Sequence, residues 1–303
     1  MKARVHKVTP DLFLVELPVP IAGFEHFVAS WVLTGPPAVV VDPGPAVTAP
    51  ALLEALEQLG MDRPDYILLT HIHIDHAGGI GQVAEAFAET PVVCHQAAVA
   101  HLADPSRLWQ GSLKVLGETA RRYGPIEPVA KERILSAGDL DVSGIRVLDT
   151  PGHSPHHCSF VIGDILFAGE TGGVCLSLDD GADYLRPATP PRFFFDTQLA
   201  SLEKLMKAPA RILCYGHFGA RDRDSGLLER HRDQLRFWRQ KLASILEPEP
   251  RPRSGLPDRC LEALLAADPL LAGFSRLPED VQAREKTFLT NSIKGFIGYL
   301  QSL

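Results

Sequence analysis

The chain has 303 residues, 45% of them apolar and 22% charged, the balance of an ordinary globular protein with a sizeable core, and it holds no apolar run of bilayer-spanning length. Five scattered cysteines without a CxxC pair argue against a disulfide framework and for reduced, buried thiols. The net charge of −7 falls mainly on residues 1–220, with 16 Lys/Arg against 25 Asp/Glu, while residues 221–303 hold 14 against 12; this balance argues against a nucleic-acid partner.

Met1–Pro10 is basic but leads into no apolar signal core, so the expected location is the cytoplasm. Strands are predicted at Leu12–Leu17, Phe27–Thr34 and Ala38–Asp42, the last ending on an acid. Pro50–Leu59 has helical apolar spacing, with Gly60 as its stop. Tyr66–Thr70 is a β-rich run that ends at His71, Ile80–Phe87 reads as a helix, Pro91–Cys94 as a strand, and Ser106–Tyr123 as one helix. Ile145–Leu148, Ser159–Ile162 and Ile165–Ala168 are short strands, the last two joined by a tight Gly163–Asp164 turn. A helix near Asp196–Met206 and a strand at Arg211–Cys214 close this region, and the alternation predicts sheets covered by helices. Beyond residue 220 come an amphipathic Leu227–Leu246, a Pro- and charge-rich break at Glu247–Gly255, and helices at Pro257–Ala267 and Glu279–Leu303. The division expected is a catalytic domain over 1–220 and a helical region over 221–303.

The chemistry lies in Thr70-His71-Ile72-His73-Ile74-Asp75-His76. Three imidazoles and a carboxylate follow an apolar strand within six residues. Imidazole suits Zn²⁺ and Fe²⁺, and carboxylate adds a hard, charged oxygen. Strand alternation lets His71 and His73 point the same way, and a following turn brings Asp75 and His76 to an adjacent point, so one segment can seed two metal positions.

HxHxDH after a strand resembles the hallmark of the metallo-β-lactamase superfamily, and further motifs follow in order: Asp42-Pro43-Gly44, Thr150-Pro151-Gly152-His153, Ala168-Gly169-Glu170-Thr171 and Gly216-His217. The resemblance covers roughly residues 5–220. It implies an α/β fold of the αββα sandwich type, with a C-terminal helical extension like that of glyoxalase II-like relatives. It also implies a ligand set: His71, His73 and His153 for one metal, Asp75, His76 and His217 for a second, Glu170 between them, and Asp42 behind the histidines. Two close cations acidify a shared water and polarise the scissile group, with Asp75 beside that water as orienting group or proton acceptor. The family usually has Asp where Glu170 stands. The longer side chain leaves three outcomes open: a retreated backbone with the bridge kept, contact with one metal only, or displacement by water. Retained metal contact is expected.

In the Pro- and aromatic-rich stretch Asp183–Phe195, Tyr184, Arg186 and Arg192 are candidates to border the site and hold an anionic substrate, and His156 is a further candidate beside His153. His157 is weighed with it, while Cys175 reads as a structural thiol. His26, His95, His101 and His231 fall outside any ligand pattern. The expected function is hydrolysis of an ester, thioester, lactone or phosphoester bond of a small molecule, with two metal ions, most simply Zn²⁺; Fe, Mn or a single metal stay open. The alternative is a mononuclear non-haem iron oxidoreductase of the persulfide dioxygenase type. The C-terminal helices complete a pocket wall or form a homodimer interface; neither a nucleic acid nor a membrane is an expected partner.

Overall fold

The computed structural model describes residues 2–140, 142, 144–246 and 255–303, so residues 247–254 of the expected Pro-rich break lie outside the described residues. Fourteen short strands are described: β1 Arg4–Lys7, β2 Leu12–Glu16, β3 Ala29–Leu33, β4 Val39–Val41, β5 Tyr66–Leu68, β6 Val92–Cys94, β7 Ile134–Ser136, β8 Ile145–Asp149, β9 Cys158–Ile162, β10 Ile165–Gly169, β11 Val174–Ser177, β12 Asp183–Arg186, β13 Ile212–Tyr215 and β14 Ala220–Asp222. β1 to β7 form one sheet in sequence order, antiparallel as far as β4 and parallel from there to β7. A second sheet runs β14-β13-β10-β9-β8, and β11 pairs with β12 in a separate ribbon.

Residue alternation shows why the two large sheets stack. Leu14, Val39, Val41, Leu68, Phe160 and Phe167 join one buried cluster fed by both sheets, while their neighbours Val15, Val40, Ile67 and Val161 join the cluster that packs against helices. Strands buried on both faces place a dry layer between the sheets and a helical layer outside each, which is the expected αββα sandwich. Trp31 on β3 bridges the sheets: its ring meets Phe167 and its Nε1 donates to the Tyr215 carbonyl at 2.9 Å.

The predicted helices appear at Ala49–Gln58, Ile80–Ala86, Phe195–Met206, Leu227–Leu246, Leu256–Ala267 and Glu279–Leu300. The single helix expected over Ser106–Tyr123 is two, Ser106–Leu116 and Glu118–Tyr123, because Gly117 turns the chain at φ +55°. The stretch read as a loop from Asp183 begins as strand β12 before its prolines. Leu227, Trp238, Leu264, Leu289 and Phe296 of the C-terminal helices belong to the same apolar cluster as the catalytic part, so these helices are packed onto the sandwich. No helix among the described residues is long and apolar enough to cross a membrane.

Candidate metal centre

β4 and β5 run parallel and end side by side, and the site is built where they stop. Asp42, just past β4, sits at φ +54°, a conformation that non-glycine residues seldom adopt. Its carboxylate accepts from Thr70 N at 2.7 Å and Thr70 Oγ1 at 2.6 Å, and meets His76 Nδ1 at 3.0 Å. The chain then forms the short helix Ile74–Ala77, which brings Asp75 and His76 round beside His71 and His73. Ile72 and Ile74, both buried, anchor the turn in the core.

Residues distant in sequence complete the cluster. His71, His73, His153 and Glu170 form one group of donors, and Asp75, His76 and His217 a second, each with its ligand atoms within 4.8 Å of one another. Glu170 lies between them: Oε2 is 2.7 Å from His153 Nε2 and 3.2 Å from His71 Nε2, and Oε1 is 3.5 Å from His217 Nε2. The extra methylene is thus accommodated with the carboxylate still between the groups. β10 shifts register against β13 at Phe167/Gly169, and Gly169 at φ +56° turns the chain just before Glu170. A Cβ on Gly169 would stand 2.4 Å from His157 Nε2, so the turn requires glycine.

The donors fit a metal by their own hydrogen bonding. His153 Nδ1 donates to the Ala188 carbonyl at 2.7 Å and His217 Nδ1 to the Phe27 carbonyl at 2.9 Å. His76 Nδ1 donates to Asp42, and Thr70 Oγ1, its own proton given to Asp42, accepts from His71 Nδ1 at 3.1 Å. All four imidazoles therefore turn the Nε2 lone pair inward. His73 offers Nδ1 instead, 3.0 Å from His71 Nε2 and 2.9 Å from His153 Nε2. Converging lone pairs repel unless a cation lies among them, and these gaps approach the roughly 3.3 Å separating two nitrogens on tetrahedral zinc.

Burial and neighbouring charges divide the histidines, pushing His71 and His73 down and His76 and His153 up. Burial, with the charge of His153, pushes His73 down to about 3, and burial with His76 and His73 holds His71 well below its usual value, so both are neutral ligands at neutral pH. Burial would also lower His76, but Asp75, Asp42 and Glu170 raise it to about 9. Glu170 and Asp75 are buried, which favours the neutral acid, yet the surrounding histidines keep both ionised well below the usual carboxylate range. Asp42→Ala is expected to weaken divalent-metal binding about 10- to 100-fold, because His76 and Thr70 lose the acceptor that aims them. Competition titration against a chromophoric chelator measures this, and unchanged affinity would remove Asp42 from the site.

Every expected ligand is therefore in the cluster. His157 is not a ligand: its Nε2 accepts from Glu170 N at 3.2 Å and its Nδ1 faces Thr150 Oγ1 at 2.9 Å, so it clamps the backbone of Glu170 from behind. Cys175 is buried with its thiol pushed up to about 12, a structural role. A 580 Å³ cleft opens onto the metal ligands and is lined also by His101, Arg107, His156, Arg186, Arg192 and Phe288. His156, Arg186 and Arg192 thus border the site as expected. Tyr184 does not: it lies on the same side of β12 as Arg186 but two residues further back, fully buried and off the cleft wall. Arg186 is itself engaged, its guanidinium paired with Glu285. His101, set aside in the sequence for want of a ligand pattern, reaches the cleft from the helix Val99–Ala103. Phe27 had no signature either, yet its ring stacks on His217 at 4.1 Å and 4°. Phe288, Asn291 and Ser292 make the C-terminal helix a wall of the cleft.

Known proteins resemble this chain. Residues 23–217 match the family described as the metallo-beta-lactamase superfamily. A metallo-beta-lactamase fold-containing protein of Sulfurisphaera tokodaii is 27% identical over 168 residues, 52% of this chain and 62% of that protein. A hydroxyacylglutathione hydrolase of Xylella fastidiosa is 31% identical over 193 residues, 62% of this chain and 58% of the relative, so the match spans less than two thirds of either relative. The crystal structure of a metallo-beta-lactamase family protein of Thermus thermophilus shares the fold with a TM-score of 0.65 at 23% identity, covering 98% of this chain and 95% of that one. With the family match spanning the whole ligand set from Asp42 to His217, the chain belongs to the metallo-beta-lactamase superfamily.

Proposed function

We propose that the chain is a metal-dependent hydrolase of an acyl ester or thioester, using two divalent ions, most simply zinc. The observation that carries this is the position of Glu170: Oε2 faces His153 and His71 of one donor group and lies 3.7 Å from His76 of the other, and Oε1 faces His217. Bound ions of this kind acidify water and polarise a scissile carbonyl. The chain's own groups do the rest. Asp75, 3.5 Å from His217 and more open than Glu170, faces the cleft and takes the proton of the attacking water, then returns it to the leaving group. Glu170, the five histidines and one oxygen of Asp75 would hold the ions in place. The apolar walls exclude bulk water. The relatives named hydroxyacylglutathione hydrolases support the thioester class.

The mononuclear iron reading would use only His71, His153 and Glu170; the equal assembly of Asp75, His76 and His217 favours the two-metal hydrolase. Five buried, unpaired cysteines support a reducing compartment, for which the cytoplasm is proposed. Metal analysis by plasma mass spectrometry on untagged protein, with turnover of a short acyl thioester, tests the reading. About two zinc ions per chain with hydrolysis are expected; one iron per chain with oxygen uptake and no hydrolysis would overturn it.

A further inference from the structure

The cleft has two unlike halves. At its floor stand the ligands, and Asp75 and Glu170 are the only acids that line it. The outer wall is one face of the helix Ser106–Leu116: Leu108, Gly111, Ser112, Val115 and Leu116, spaced three and four apart. This helix buries none of its residues, and Val115 is 68% exposed. Gly111 breaks a helical preference by standing mid-helix, and a Cβ there would meet nothing within 4 Å. A side chain at that position would project into the open cleft. Pro190, Pro191 and Phe288 also line the cleft. Two exposed guanidiniums, Arg107 and Arg192, line the same space, and no salt bridge engages either among the described residues. In a chain of net charge −7, the cleft beyond the ligands is lined by cations without an acid.

We propose that this cleft selects an ester or thioester bearing an apolar chain that lies along Leu108, Gly111, Val115 and Leu116 and an anionic group, most simply a carboxylate, held by Arg107 and Arg192. The apolar chain covers the half-open helix face, where Leu108 and Leu116 also touch the core, and each methylene removed from water favours binding. The guanidiniums provide planar donor pairs matched to a carboxylate. This proposal rests on the hydrolase reading for its reacting bond, but its recognition elements are tested apart from turnover.

The test uses uncleavable thioethers on the as-purified protein: 10-(methylthio)decanoate, its short homologue 4-(methylthio)butanoate, and the uncharged 10-(methylthio)decan-1-ol. Binding is followed by calorimetry and by the fluorescence of Trp109, which lies on the wall helix while Trp31 and Trp238 are buried. The long acid is expected to bind at least tenfold more tightly than either comparison compound. Gly111→Leu should erase the advantage of chain length, and Arg107→Gln with Arg192→Gln should erase the advantage of charge, with the thermal midpoint kept in both. Affinities within twofold across the three compounds, or variants that leave the preferences intact, would overturn the proposal. Turnover of a short acetyl thioester is measured in parallel: its absence with the binding preferences present would sink the hydrolase reading alone, and its presence without them would sink only this one.

Discussion

Replacing Asp75 by Asn is expected to lower kcat/KM for thioester hydrolysis by about 100- to 10,000-fold, the usual worth of a positioned proton acceptor. The amide keeps the shape of the carboxylate and loses its charge and basicity. Asp75 is the acid of the second donor group that is most open to the cleft, with 16% of its side chain exposed against 9% for Glu170. It is ionised at neutral pH: burial opposes this, but His76 and His217 hold its carboxyl well below the ordinary range. The short helix that carries it is anchored by Ile72 and Ile74, not by the carboxylate, so the circular dichroism spectrum should be unchanged. Steady-state kinetics with metal analysis on the same sample decides the point. A loss below threefold would show that another group takes the proton.

The largest loss of stability is expected from Glu285→Ala. Glu285 is fully buried and pairs with Arg186, whose Nη2 reaches Oε1 at 3.3 Å, and with Arg284, whose Nε reaches it at 3.1 Å. Removing the acid strands two buried guanidiniums, a loss of about 3–5 kcal/mol for a broken buried pair. Urea unfolding of both proteins measures it, and a change under 1 kcal/mol would mean the guanidiniums find water or new partners. The consequences reach the metal site: Arg284 stands over the Phe27 ring at 4.1 Å, and Phe27 stacks on His217 while its carbonyl accepts a hydrogen bond from His217 Nδ1. Zinc retention should therefore fall in this variant as well. Burial pushes the Glu285 carboxyl up, but the two arginines prevail and keep it below its usual value. A folded pKa below the unfolded one means that the pair stabilises the protein above the ordinary glutamate range and that this stability is lost as pH falls towards the folded pKa.

The local half of the site was legible because its parts are neighbours. His71, His73, Asp75 and His76 fall within six residues, and strand alternation followed by one turn is enough to converge them. His153, Glu170 and His217 carry no such local logic; each was placed through its resemblance to an ordered motif, and the structure brings all three to the cluster. The groups that aim the ligands were harder to see. Ala188 and Phe27 act through backbone carbonyls, which every residue has, so no side-chain pattern marks them. His157 looked like a possible pocket residue beside His156, but the turn before β9 sends the two apart, one to the cleft and one beneath Glu170.

Local pattern also decided most of the fold. Apolar runs such as those in Ala38–Asp42 and Ile165–Ala168 read as strands and are strands buried on both faces, the helix expected over Leu227–Leu246 keeps its bounds, and the one expected over Glu279–Leu303 ends at Leu300. The strands that went unpredicted are those whose existence depends on a partner. Arg4–Lys7 is exposed throughout and is a strand because β2 pairs with it, and Asp183–Arg186 is one because β11 does. By itself, then, the sequence marked a metal-binding segment and the layered architecture, since both follow from periodicity and from side-chain types close along the chain. Only the tertiary structure decided that Glu170 reaches both donor groups, that Tyr184 is core while His101 meets the cleft, and that the C-terminal helices wall the site. Those outcomes turn on backbone direction and on packing between segments far apart in the chain, which no local pattern encodes.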